Sequence, residues 1–322
     1  MTRQYRHVAA LATAFMVAAA PAAHAAWPDD QPIEILVGFA PGGANDVMPR
    51  MMAPFMEKLL GGNAKFVVVN RPGASGDIAW SQLARAKPDG YTIAMMATPA
   101  FLTNQIRGLS SYDAAAIVPV ARAMDDPAVL VAGPRTKFDS LAEAARFLAG
   151  KPEQLSLATN GVGTNGDMVA RSLAAAGVKL NVVPFKGAGD IRTSLSGGHI
   201  DLAVMGATEY LSASQGDSRL RAIAQFSPAR RAFLDKVPTA KEQGYDIAIS
   251  SERGFAAPRG VPPEILSKLE YAIQATLRNP DFLAKVQDQA PTILFQSGAD
   301  WARRMPQQKA FFSKIWEATP DR

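Results

Sequence analysis

The feature that most limits the fold is a regular alternation of short apolar, β-rich runs with helix-patterned segments. Strand-like runs fall at Ile33–Phe39, Phe66–Val69, Tyr91–Met95, Val118–Ala123 and Val129–Ala132. Others follow at Leu155–Ala158, Val182–Phe185, Leu202–Met205 and Arg221–Gln225. Helical patterns lie between them, around 47–60, 77–86, 140–149, 167–176 and 189–196. Such alternation predicts an α/β fold. After residue 260 the pattern is helical only, with Pro262-Pro263 ahead of one helix and Pro280 opening another. Pro49 suits the first turn of its helix, whereas Pro54 falls inside and is expected to kink it.

Two of the strand-to-helix turns are rich in glycine. GFAPGGAND, Gly38 to Asp46, leads into one helix, and ATNGVGTNGD, Ala158 to Asp167, leads into another. Asn and Asp stand at both helix starts, where they cap free amides. A glycine turn opening a helix is the arrangement that holds anions on backbone N–H groups. Neither loop is a nucleotide motif. PGGAND lacks the Lys-Ser/Thr of a P-loop, and NGVGTNGD misses the dinucleotide spacing and its acidic partner. Taken singly, each glycine turn also reads as plain geometry. As a pair in successive α/β segments they suggest two jaws facing one cleft.

The N-terminus carries Arg3 and Arg6, an apolar run from Val8 to Ala20, and Ala23-His24-Ala25 as a small–x–small site. That is a signal-peptide pattern, with cleavage expected after Ala25 and residues 1–25 removed. No later segment is long and apolar enough to span a bilayer. The chain has no cysteine, which excludes disulfides, a thiol nucleophile and thiolate metal sites. Of three histidines, only His199 lies beyond the leader, so no multi-histidine zinc site is available. His199 stands between Gly197-Gly198 and an apolar run, as a turn residue would. A pI near 9.4 invites a nucleic-acid reading, but basic residues are scattered and no aromatic platform accompanies them. Neither a nucleic-acid partner nor a cofactor is expected.

Eight blocks in order resemble the extracytoplasmic solute receptors of the tripartite tricarboxylate transporter family, the Bug proteins. They are ILVGFAPGGAND, VVVNRPGASGDIAW, AKPDGYTIAM, NGVGTNGDM, VVPFKGAGDIRTSLSGGHIDL, RLRAIAQFSPAR, VPTAKEQGYD and RGFAAPRGVPPE. The resemblance runs from Trp27 to about Trp316. It implies a two-lobed periplasmic binding protein, a clamshell of type II kind with its ligand between the lobes. Crossings are expected near Asp125-Asp126-Pro127 and near Gln225-Phe226. Residues 26–125 with 226–322 would form the first lobe and 126–225 the second.

The resemblance also implies a ligand site. Phe39, Gly42, Gly43, Ala44, Asn45 and Asp46 match the family's first binding loop, where amides hold a ligand carboxylate. Asn160, Gly163, Thr164 and Asn165 match the second-lobe contacts, followed by Phe185, Lys186 and Gly187. Thr98 matches a further position. Helix-start amides topped by Asn and Thr donors suit carboxylate oxygens. Lys186 also reads as a solvated turn residue, and Phe39 as core.

Three departures stand out. Asp167 replaces a frequent histidine and reads as a helix cap. Ser251-Glu252-Arg253 replaces a frequent tryptophan. Arg253 is suited either to gripping a distal carboxylate or to pairing with Glu252 or another acid. Glu209, if it faces the cleft, favours a ligand bearing an amine or hydroxyl. The expected function is a monomeric, non-enzymatic receptor passing a small organic acid to membrane permease subunits from the periplasm. A ligand sensor for a membrane signalling protein uses the same clamshell. An exported α/β hydrolase is the remaining alternative, and no G-x-S-x-G elbow supports it.

Overall fold

The computed structural model describes residues 27–287 and 290–319, so the leader and its cleavage site lie outside the described residues. The chain opens with β1 (Ile33–Val37), α1 (Ala44–Leu60), β2 (Phe66–Asn70), α2 (Asp77–Ala84), β3 (Thr92–Ala97) and α3 (Ala100–Ile106). A long strand follows, β4 (Ile117–Ala132), then α4 (Leu141–Leu148), β5 (Ser156–Thr159), α5 (Asn165–Ala175) and β6 (Asn181–Pro184). Next come α6 (Ala188–Ser196), β7 (Leu202–Gly206), α7 (Ala207–Gly216) and β8 (Arg221–Gln225). The chain finishes with β9 (Ser250–Pro258), α8 (Pro263–Leu277), α9 (Pro280–Lys285), β10 (Ile293–Ser297) and α10 (Gly298–Glu317).

Two parallel units share one strand. β1 pairs in parallel with β2 and β3, and β5 pairs in parallel with β6 and β7. β4 joins them. Its residues Ile117–Pro127 run antiparallel to β9, and Ala128–Ala132 run antiparallel to β7 and β8. The fold is therefore α/β and two-lobed, as expected. β4 itself corrects the sequence reading, which saw two strands broken at Asp125-Asp126-Pro127. The acids do not break the strand because each finds an arginine: Arg231 donates to Asp125 at 2.9 Å and Arg253 to Asp126 at 2.7 Å.

Three further expectations are corrected. β10 is a strand in the tail read as helical only, and β9 is a strand just before it where none had been read. α3 and α7 were not anticipated. Residues 226–249, expected in the first lobe, hydrogen-bond to the second: Phe226 N–H donates to Ala128, Ala240 N–H to Gln225, and the Gln225 carboxamide to Leu234 and Val237. Their apolar side chains follow suit, with Leu234 beside Val129 and Val131. The chain re-enters the first lobe only with β9.

α1 forms because Met48, Met52 and Met56 recur at one helical face, all fully buried against β1, β3 and α8. Burying each such side chain is worth roughly 1.5–3 kcal/mol. The helix runs continuously through Pro54, which is exposed, so the carbonyl it leaves unpaired at Arg50 faces water. A second apolar cluster passes through both lobes, from Leu36 and Trp80 to Leu130 and Leu157, and takes in Trp301 and Phe312 of α10. Glu252 fastens α10 to the shared strands. It is 3% exposed and accepts from Arg122 at 2.8 Å and from the Trp301 indole at 2.7 Å.

Candidate functional site

The two glycine loops turn out to be built on one device. At the start of α1, Gly42 adopts φ +85°, and its N–H donates to the Asp46 carboxylate at 2.9 Å. Arg50, one turn further on, donates to the same carboxylate at 2.9 Å. At the start of α5, Gly163 adopts φ +80°, its N–H donates to Asp167 at 3.0 Å, and Arg171 donates to Asp167 at 2.9 Å. Glycine, aspartate and arginine thus recur at the same four-residue spacing in both lobes. Each aspartate locks the loop so that the following amides point outward. Burial pushes the Asp46 carboxyl up, but hydrogen bonds from Arg50, Gly42 and Asn70 outweigh it and hold the group below its usual range.

Between these loops lies a cavity of about 180 Å³ walled by both lobes. The first lobe contributes Phe39, Gly43, Ala44, Asn45, Thr98 and Arg253. The second contributes Asn160, Thr164, Asn165, Lys186, Gly187 and Glu209. α1, α3, α5, α6 and α7 all begin at its wall, through Asn45, Ala100, Asn165, Ala188 and Glu209. Each helix start presents unpaired N–H groups and the positive end of its dipole. Their convergence makes the cavity a receptacle for negative charge. A neighbouring cavity of about 230 Å³ shares Gly43, Ala44, Gly189 and Glu209 with it.

Twelve of the fifteen expected site residues line this space: eleven in the main cavity, Arg253 among them, and Gly42 in the adjoining one. Asp46, Gly163 and Phe185 line neither. Asp46 and Gly163 act within the loop device, and Phe185 packs with the second-lobe core beside Val129 and Ile191. Asp167, expected as a helix cap, makes no cap bond to α5; it accepts from the Gly163 N–H ahead of the helix and pairs with Arg171. Ala188, Gly189, Asp190 and Ser251 were missed. The run of small residues after Lys186 was the available signal, because only small residues let a helix start approach a ligand closely.

The far wall holds most of the buried charge. Arg253 is 3% exposed and pairs with fully buried Asp126, not with Glu252. Thr208 also donates to Asp126, from its hydroxyl at 2.8 Å. Burial pushes the Glu209 carboxyl above its usual range, against the pull of Arg253. Three buried polar atoms in the cavity residues have no protein partner: Asn45 Oδ1, Asn160 Oδ1 and Arg253 Nε. Such atoms are costly unless a ligand or water meets them.

The lobes also touch outside the cavity. The Ser75 hydroxyl donates to the Val162 carbonyl at 2.7 Å, and the Thr103 hydroxyl to the Gly163 carbonyl at 2.7 Å. The chain matches the tripartite tricarboxylate transporter family receptor (TctC) over residues 48–315. It belongs to this family. The receptor is 32% identical over 255 residues to protein BugT of Bordetella pertussis, covering 77% of each chain. It resembles the ligand-free crystal structure of a TctC solute-binding protein from Polaromonas, with 30% identity, 90% and 99% coverage and a TM-score of 0.69. An R. palustris protein solved with adipate shares the fold at 24% identity, 91% and 98% coverage and a TM-score of 0.81.

Because Ser75 reaches across the cleft, its hydroxyl should slow ligand escape. One such bond contributes about 0.5–1.5 kcal/mol net, so Ser75→Ala is expected to speed release about 2- to 12-fold. Stopped-flow displacement measures this, and an unchanged release rate would show that the contact does not hold the lobes.

Proposed function

We propose that the receptor holds the carboxylate of a small organic acid between its lobes and passes it, chemically unchanged, to the permease subunits of a tripartite tricarboxylate-type transporter. The observation that carries this reading is the meeting of five helix starts, drawn from both lobes, at one cavity. Amides at Gly43, Ala44 and Asn45, with the side chains of Thr98 and Asn165, supply donors without a dedicated first-loop cation. Adipate in the R. palustris protein fits the same ligand class. The contacts of Ser75 and Thr103 across the cleft support a closed arrangement reached by hinge motion in β4 and β9.

The receptor acts in the periplasm as a monomer after cleavage behind Ala25, which N-terminal sequencing of exported protein checks. Thermal-shift screening of the mature protein against organic acids, followed by calorimetry of the best, tests the binding claim. Saturable binding of a carboxylate is expected. No shift with any acid of aliphatic, aromatic or amino type would sink it.

A further inference from the structure

We infer that the far wall of the cavity is an ammonium site, in which Glu209 and the Asn160 carboxamide oxygen select a carboxylic acid that carries an amino group. This inference deepens the receptor reading above and rests on it. Asn160 and Glu209 are neighbours in the second-lobe wall of the cavity. The Asn160 carboxamide oxygen can only accept. That oxygen is buried and unpartnered, in a residue of the cavity wall. Glu209 lies in the same wall, and its one backbone bond, from Gly206 N–H at 3.2 Å, leaves further accepting capacity. Two second-lobe acceptors, Glu209 and the Asn160 oxygen, therefore wait for donors in one cavity wall.

Charge points the same way. Asp126 and Arg253 neutralise each other at 2.7 Å, and Thr208 N–H and hydroxyl complete the Asp126 shell. Glu209 is then the acid of this cluster with no cation of its own. Burial raises its proton affinity, a cost that an incoming ammonium would reverse. A hydroxyl would satisfy Asn160 but leave that charge unmatched. An unsubstituted acid would leave both acceptors stranded. A plain capping role for Glu209 at the start of α7 accounts for the Gly206 bond, but predicts no ranking among ligands.

The test uses the mature, full receptor and acids matched on carbon skeleton. The trios are aspartate, malate and succinate; glutamate, 2-hydroxyglutarate and glutarate; and phenylalanine, 3-phenyllactate and 3-phenylpropanoate. In the trio that binds best, the amino member should bind at least tenfold more tightly than the unsubstituted one, with the hydroxy member between. Glu209→Gln keeps the size and an acceptor for Gly206, and should cut that ratio at least tenfold. Equal or tighter binding of the unsubstituted acid by the native receptor would overturn the ammonium site, whether or not the variant folds. So would an undiminished ratio in a folded Glu209→Gln protein. If acids bind without amino preference, only this inference falls. If no acid binds, the receptor reading falls and takes this site with it.

Discussion

Replacing Asp167 with alanine is expected to lower the unfolding free energy by about 3–5 kcal/mol, the usual cost of orphaning one member of a buried ion pair. Arg171 is 2% exposed and has nowhere to take its charge. It lies over the Trp316 ring, 3.6 Å from the centroid, and donates to the Thr319 carbonyl, so packing holds it in place. The Gly163 N–H would lose its acceptor as well. The equivalent Asp46→Ala change should cost only about 1–2 kcal/mol, because a solvated arginine can rehydrate. The Arg50 side chain is 46% exposed. Urea unfolding of the two variants side by side decides the matter. Equal losses would mean that the matching geometry, not burial of the arginine, sets the energy.

The second large effect falls on binding. Gly43→Val should weaken the best ligand at least 100-fold while leaving the receptor folded. Gly43 sits at φ −81° and ψ 167°, an extended conformation that valine favours. An added Cβ would meet only the Ala40 carbonyl oxygen, at 3.8 Å. The fold therefore tolerates the side chain, but the side chain stands where Gly43 lines both cavities. At Gly163 a Cβ would lie 2.5 Å from the Thr103 hydroxyl at a φ of +80°, so a substitution there strains the backbone. Calorimetry with the best acid measures the loss. Native-like affinity in the valine variant would move the carboxylate grip away from this loop.

The parallel cores were legible because their strands are continuous apolar runs, such as Ile33–Val37, flanked by turns. What escaped was hidden by charge. β9 reads as polar at Ser251-Glu252-Arg253, yet all three are buried, and the two ions find partners contributed by β4 and α10. The same reciprocity hid the continuity of β4 through Asp125 and Asp126. Sequence patterning sees each charge alone and cannot see the arginine that arrives more than a hundred residues later. The glycine loops announced the site, since their composition is the geometry. Their internal lock was present in the spacing from glycine to aspartate to arginine, and became readable only once Gly42 and Gly163 were seen donating to their aspartates. Glu209 could be named from its position in MGATEY, but whether it reached the cavity depended on α7, whose weak amphipathic pattern gave no warning.

The placement of β9 sets an order of assembly as the chain grows. In the first lobe, β9 lies between β3 and β4, so that sheet has a gap until the ribbon from residue 250 onward has been made. The other lobe suffers no such interruption: its strands, and the 226–249 segment that packs on them, arrive as one unbroken stretch. A polypeptide emerging N-terminus first must therefore hold β1 to β3, with their apolar faces, unfinished while its middle portion is already able to close. Those early strands are the part of the newborn chain most in need of a chaperone's cover.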